Sequence, residues 1–296
     1  MAEATKIPVR DCVGAALRFA VENARAVAVA SAIAAAILTL LTGLALIVAP
    51  LGLLTSLGST FVRACLYGVF IAAVLYGAGV SRGRIVSDGA RVWAAMAIVG
   101  FFMFIVMFVA SIPGMIVLLS GPLAPYTDEL TRAGQDQAAV VQVMTQFAQE
   151  QPLAVLLFVL FYAILWLLLT SRLYLAAPAS VDAGRVLTFE TWRWTRGAVM
   201  QITWARLMLL APAYVLVSAL DYLVAQIFGV NVLDPATVAN LSQANPVAFL
   251  GYAFATTFIT FAIYSSLEAG LSTSLYRVLR QEPPAGKTLD RVVNSD

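Results

Sequence analysis

No histidine occurs anywhere in this chain, and that absence removes a broad class of chemistry. Ser-His-Asp and Cys-His nucleophilic catalysis, histidine proton shuttling and the usual catalytic zinc sites all need an imidazole. Charge is scarce too. Asp, Glu, Lys and Arg make up 11% of the residues, against about 25% in soluble domains, which is too little polar material to cover a water-facing surface. The net charge is only +2 and no basic stripe accompanies it, so nucleic acid is excluded as a partner. There are two cysteines, Cys12 and Cys65. One falls in a segment expected in the cytosol and the other in an expected membrane helix, so no disulfide is expected.

Recognisable catalytic motifs are missing as well. Neither Gly-x-Ser-x-Gly nor the dinucleotide fingerprint occurs. Ala285-Gly286-Lys287-Thr288 matches the end of a phosphate-binding loop, but Gln281 stands where the pattern requires its first glycine. Asp221-Tyr222 does not match the intramembrane aspartyl protease pattern. The reading is therefore of a non-enzymatic protein with no catalytic residue, cofactor or metal.

What the chain does have is apolar length. Hydrophobic residues make up 61% of it, with a mean hydropathy of +0.89. Six runs approach or exceed the roughly twenty residues needed to cross a bilayer: Val27–Val48, Phe61–Val80, Trp93–Ile112, Leu153–Ala176, Leu207–Phe228 and Val247–Leu267. Backbone groups in lipid must bond within their own segment or in a closed barrel. These runs are continuous and do not alternate, so the expected fold is all-α, a polytopic bundle of about six transmembrane helices. A cleavable leader is not expected, because the first strongly apolar run begins only after Arg25 and is too long.

Arginine placement orients the expected bundle. Lys6, Arg10, Arg18 and Arg25 precede the first run, Arg82, Arg84 and Arg91 lie in the second connection, and Arg172, Arg185, Arg193 and Arg196 lie in the fourth. Arg277, Arg280, Lys287 and Arg291 follow the last run. Cytosolic loops carry the Lys/Arg excess, so both termini are expected in the cytosol of a bacterial inner-membrane protein.

The runs group as three hairpins that weakly resemble one another. Each odd helix meets a proline, at Pro50, Pro113 or Pro212. Three two-helix repeats are similar to the organisation of mitochondrial carriers. Those place an acidic residue two positions after each proline, where this chain has Gly52, Met115 and Tyr214, so that family is excluded. The division expected is an amphipathic cytosolic segment over residues 1–25, a membrane domain over 26–280 and a disordered cytosolic tail over 281–296. Val13, Ala16, Leu17 and Ala20 form the apolar face of a helix expected to lie on the inner membrane surface. In the long outer loop, 121–152, Leu130, Val140, Val141, Met144 and Phe147 recur at helical spacing. Asp234-Pro235 has the form of a helix start.

Ionisable groups inside membrane runs are the best generic pointer to function. If the second helix starts near Leu51, Arg63 lies deep in the bilayer; with a start at Phe61, the reading preferred because that run is long enough alone, Arg63 sits at the outer headgroups, and Asp221 of the fifth run is a candidate partner. Arg206 opens the fifth run and Glu268 closes the sixth, so these two are expected to pair near the inner edge. At about 100° per residue, Thr256, Thr257, Thr260, Tyr264, Glu268 and Ser272 form a polar stripe on the sixth helix. It reads as interhelical hydrogen bonding or as the wall of a substrate path.

The fourth connection interleaves Trp192 and Trp194 with Arg193 and Arg196, beside Glu190 and after Arg172. Indoles prefer the headgroup level and guanidinium groups pair with lipid phosphates, so these six residues are expected to face lipid or a partner at the inner surface. Arg172, Ala177-Pro178-Ala179, Trp192-Arg193 and Thr195-Arg196-Gly197 together resemble a family of bacterial integral-membrane regions. That family includes the membrane region of some glycerophosphodiester phosphodiesterases. Asp182 stands where its pattern has a glutamate. The resemblance implies a multi-helix inner-membrane protein; phosphodiesterase activity is not implied, since this chain holds no such catalytic domain. The expected function is binding or organising membrane lipid, a partner membrane protein or a second copy of the chain. The alternative is a small-solute or lipid transporter using the cavity lined by the sixth helix.

Overall fold

The computed structural model describes residues 7–77, 84–232 and 234–281. Residues 282–296 with the Gly286-Lys287-Thr288 stretch, along with Lys6 and Arg82, lie outside the described residues, and Gln281, expected to open the tail, ends the last helix. Helices follow in the order α1 (Val9–Glu22), α2 (Ala24–Ile47), α3 (Gly52–Tyr76), α4 (Ile85–Ser120), α5 (Thr127–Ala133), α6 (Gln137–Glu150) and α7 (Pro152–Leu173). The remainder are α8 (Ala176–Ala183), α9 (Glu190–Trp194), α10 (Val199–Ile227), α11 (Pro235–Ala244), α12 (Pro246–Ile259), a π-helical turn Thr260–Ser265, and α13 (Ser266–Gln281). No strand occurs among the described residues.

Among the described residues, six helical stretches are long and apolar enough to cross a membrane: α2, α3, α4, α7 running on into α8, α10, and α12 running on through α13. Their side chains explain why water is the wrong solvent. Leu40, Leu53, Phe101, Phe104, Leu156, Phe161, Val215 and Leu223 are each more than half exposed. So much contiguous apolar surface is not found on monomeric soluble proteins. The chain is a multi-pass, all-α membrane protein.

The chain divides into two compact units, Met1–Ala97 with Ser171–Asp296, and Ile98–Thr170. In the first, α2 and α3 form a hairpin and α10 with α12 another, and α12 packs on α2 while α13 packs on α3. One core joins α1, α10 and α13 through Ala16, Ile202, Leu271 and Leu275. A second joins α2, α3 and α13 through Leu38, Phe70, Ile71 and Ala269. In the second unit, Tyr162 of α7 donates its hydroxyl to the Ala110 carbonyl of α4 at 2.8 Å, beside Gly114. There Leu118, Leu123, Tyr126 and Phe147 make a small core that α5 and α6 close.

Several expectations are corrected. The second span begins at Gly52, not Phe61, so Arg63 stands near the midpoint of a 25-residue helix and not at its end. Thr55 and Ser59 return their hydroxyls to backbone carbonyls one turn back, which lets the weakly apolar 52–60 stretch continue the helix. The three prolines are not equivalent: Pro50 lies in a 3₁₀ turn between α2 and α3, whereas Pro113 and Pro212 lie inside α4 and α10. Helix α1 forms as expected, but its buried stripe is Cys12, Ala16 and Phe19, docked on protein. Ala16 meets Gly270 of α13 so closely that a Cβ there would lie 3.1 Å from the Ala16 Cα. Leu17 and Val21 point outward. In 121–152 the periodic segment is two helices, with Leu130 and Phe147 turned inward and Val141 and Met144 exposed. Helix α11 starts at Pro235, as the Asp234-Pro235 pair suggests.

Candidate functional site

The stretch from Arg172 to Gly197 folds into a buttress at the end of the first unit where α3 and α13 finish. Ala177, Pro178 and Ala179 are buried in α8. Ser180, fully buried, accepts the Leu187 N–H at 2.9 Å and so pins the loop that follows. Thr195, also fully buried, donates to the Arg172 carbonyl at 3.0 Å, while the Arg172 guanidinium lies 5.2 Å from the Trp192 ring centroid. Gly197 takes φ +89°, a conformation that a side chain would strain. The motif is thus a hydrogen-bonded knot before it is a surface. Within it Arg193 and Arg196 are exposed, and Glu190 lies 3.6 Å from Arg185. Trp194 turns inward against Tyr276, ring centroids 6.2 Å apart, which corrects its expected lipid-facing role.

Asp182 is the centre of this end. Tyr76, at the close of α3, donates to its Oδ1 at 3.2 Å, and Tyr276 of α13 donates to its Oδ2 at 2.7 Å. Arg280 forms an ion pair with the same carboxylate and donates to the Tyr276 hydroxyl at 2.8 Å. Two clefts of about 340 and 260 Å³ share Tyr76 and Asp182. Arg277 and Arg280 line the first, Arg84 and Arg91 the second. Four arginines therefore surround one carboxylate that is already committed to two tyrosines. Arg91 is partly offset by buried Asp88 at 2.6 Å.

A second constellation lies further along the same helices. Arg206 of α10 donates Nη1 to Ser171 Oγ at 2.8 Å and lies 4.6 Å from the Tyr174 ring centroid. Thr203 donates to the same Ser171 oxygen at 3.0 Å. Tyr174 reaches the Glu268 backbone carbonyl at 3.3 Å, and the Tyr67 and Ser272 hydroxyls are 3.1 Å apart. The charge of Arg206 is felt at Tyr67, Tyr174, Tyr264 and Glu268, but no Arg206–Glu268 ion pair forms within 4 Å among the described residues. The expected pair is replaced by a cluster in which Arg206 turns to Ser171 and Tyr174.

Beside this cluster is a pocket of about 530 Å³. Arg63, Tyr67, Ser265 and Glu268 supply polar groups, and Val92, Trp93, Met96 and Phe261 supply apolar walls. Arg63 lies 5.6 Å from the Phe261 ring centroid, and Trp93 donates Nε1 to Thr60 Oγ1 at 3.1 Å. Neither the Arg63 guanidinium nor the Glu268 carboxylate has a hydrogen bond or an ion pair within 4 Å among the described residues. At a bilayer centre each charge costs about 2.5–3.5 kcal/mol on insertion scales, so two such groups facing one pocket are not a neutral feature.

The polar stripe does not survive as drawn. The π-helical turn at Thr260–Ser265 carries an extra residue per turn and rotates everything after it relative to α12. Thr256 and Thr260 bond to carbonyls of their own helix, Tyr252 at 3.1 Å and Thr256 at 2.9 Å, while Tyr264, Glu268 and Ser272 join the cluster or the pocket. Asp221, the candidate partner of Arg63, lies instead near Tyr252, with Oδ1 buried and without a hydrogen-bond partner among the described residues. Tyr67, Tyr76, Trp93 and Tyr276 carry much of both sites and were not singled out from the sequence. The available signal was a phenol or indole placed within an apolar run, where its polar tip needs a partner. Comparison with protein-family models, curated proteins and solved structures finds no match to this chain.

Proposed function

We propose that this is a non-enzymatic inner-membrane protein that binds or organises lipid at its cytosolic face, with both termini on that side. The observation that carries the reading is the paired clefts around Asp182, where Arg84 and Arg91, from the start of α4, and Arg277 and Arg280, from the end of α13, converge. Guanidinium groups suit phosphate, and each basic group near an anionic surface adds about 1 kcal/mol of attraction. Exposed Arg193 and Arg196 add two more basic groups to the stretch that follows α8. A partner membrane protein or a second copy with an acidic surface would use the same chemistry. The test is retention of phosphatidylglycerol or cardiolipin in native mass spectra of purified protein. Arg84→Gln/Arg277→Gln is expected to lower retention several-fold, and unchanged retention in a folded double variant defeats the reading.

The second reading is a lipid or small-solute transporter. The pocket at Arg63 and Glu268 supports it, because it places charged groups midway along a span. Flux into vesicles, abolished in a folded Glu268→Gln variant, would favour it.

A further inference from the structure

The mid-span pocket has a chemistry different from the arginine-lined clefts, and the inference drawn from it stands whether or not those clefts bind lipid. Arg63 presents a cation near the midpoint of α3, and Glu268 presents a carboxylate about two turns along the sixth span from Phe261, the residue under Arg63. Both side chains face the same 530 Å³ space, and neither forms an ion pair within 4 Å among the described residues: Arg63 has only the Phe261 ring, and Glu268 only the more distant charge of Arg206. A bundle that wanted only a structural ion pair would bring the two within bonding distance. A water-filled void would not need the indole of Trp93, the thioether of Met96 and the ring of Phe261 as walls.

The local backbone points the same way. The π-helical turn Thr260–Ser265 begins one residue before Phe261 and ends on Ser265, both lining residues. Turns of this kind concentrate at functional sites, because the extra residue re-aims side chains that an unbroken α-helix would place elsewhere. Trp93 is 36% and Met96 54% exposed, so the apolar wall of the pocket is open to an apolar body and not sealed.

We propose that this pocket binds a zwitterionic amphiphile. Its anionic group meets Arg63, its cationic group meets Glu268, and its apolar part lies along Val92, Trp93, Met96 and Phe261. One ligand satisfies both charges, which a purely anionic or purely neutral lipid cannot do. A zwitterion could come from the membrane, as a phosphatidylethanolamine-type lipid, or from water as a small amino acid with separated charges.

The test uses the full chain in nanodiscs of equimolar phosphatidylethanolamine and phosphatidylglycerol, with bound lipid read by native mass spectrometry after release. Wild-type protein is expected to retain one phosphatidylethanolamine per chain, whatever phosphatidylglycerol the clefts hold beside it. Glu268→Gln and Arg63→Gln should each lower that phosphatidylethanolamine at least ten-fold. Arg277→Gln/Arg280→Gln, at the clefts, should leave it in place. That last arm separates this proposal from the lipid-binding reading above. If ε-aminocaproate protects wild-type protein against heat and phosphatidylethanolamine is not retained, the site belongs to a soluble zwitterion and the amphiphile is overturned. Failure of both wild-type protein and Arg277→Gln/Arg280→Gln to retain phosphatidylethanolamine, with no protection by ε-aminocaproate, overturns the proposal, as does phosphatidylethanolamine retention unchanged in both pocket variants.

Discussion

Tyr276 donates its phenolic proton to Asp182 at 2.7 Å, which ties the close of the sixth span to the α8 buttress. Tyr76 takes the other carboxylate oxygen, so the same side chain also holds the close of the second span. Removing the carboxylate leaves two phenols and Arg280 without their shared acceptor. A hydrogen bond to a charged group contributes about 1.5–3 kcal/mol, and the exposure of Tyr76 and Arg280 discounts the sum toward the lower figure. Asp182→Ala should lower the unfolding midpoint in detergent, and Asp182→Glu should lower it less, since a glutamate keeps the acceptor. Equal losses in the two variants would mean that the side chain acts only by packing.

Helices α3 and α4 cross at Gly68 and Gly89. A Cβ on Gly89 would lie 2.9 Å from the Cys65 Cα, which is backbone and cannot swing aside, whereas one on Gly68 would meet Gly89 N at 3.4 Å. Overpacking a tight core contact costs about 1–3 kcal/mol. Gly89→Ala is expected to destabilise by that amount and Gly68→Ala by clearly less, as read from thermal unfolding in detergent. The reverse order would show that the helices separate freely here.

The crossing illustrates what the sequence made legible. Gly68 with Ala72 reads as a close helix contact from its small-residue spacing alone, because lipid gives no other reason for a bare surface. The six spans were legible for the same kind of reason: length and apolarity leave the backbone one solution. The site was legible only in part. Arg63 and Glu268 stand out as charges in apolar runs, but their partners depend on helix rotation, which hydropathy does not encode. The π-helical turn changes that rotation in mid-span: Thr260, at its start, bonds to the α12 backbone, while Glu268, beyond it, lines the pocket. The start of α3 was misplaced because 52–60, with Gly52, Thr55, Ser56, Gly58, Ser59 and Thr60, resembles a loop in composition. Its hydroxyls bond to the helix's own carbonyls, so it behaves as a helix in lipid.

Cys12 sits on the protein-facing stripe of α1, and burial pushes its thiol up to about 11, with Asp11 adding to the shift. The thiolate is the nucleophile, so alkylation at neutral pH should be much slower than for a free cysteine. The folded pKa is raised above the ordinary value, so the folded state keeps a proton that the unfolded chain loses first. Stability from this residue is therefore present below pH 9 and declines as pH rises through the interval between 9 and about 11. Iodoacetamide labelling followed by mass spectrometry across that range checks both the rate and its rise. Rapid labelling at pH 7 would place the thiol outside the α1–α13 contact.

That protected background makes cysteine substitution a clean probe of orientation. Ser87, Gly184, Gln137 and Asn240 are all exposed. The proposed orientation, argued from the arginine asymmetry, has the first two in the cytosol and the last two outside. An impermeant maleimide added to intact cells should label Gln137→Cys and Asn240→Cys, and should reach Ser87→Cys and Gly184→Cys only after lysis. Labelling of Ser87→Cys from outside would invert the orientation and the lipid-binding reading with it.

Arg206 and Glu268 share one polar cluster without forming the ion pair their positions suggest, and this changes what their substitutions should do. Arg206 is held by Ser171 Oγ and by the Tyr174 ring, contacts that depend on a planar guanidinium. A lysine keeps the charge but not the stack, so Arg206→Lys should lower stability in detergent by about 1–2 kcal/mol, the scale of a desolvated cation–π contact with its hydrogen bond. If the two residues bonded directly, exchanging their charges in Arg206→Glu/Glu268→Arg would restore what each single reversal loses. The cluster geometry gives a different expectation. A glutamate at 206 cannot donate to Ser171 or stack on Tyr174, and an arginine at 268 would enter the pocket beside Arg63, where like charge and low polarity oppose it. The double exchange should therefore be at least as unstable as the worse single variant, by thermal unfolding in one detergent and one lipid background. Recovery above either single variant would mean that the charges meet directly.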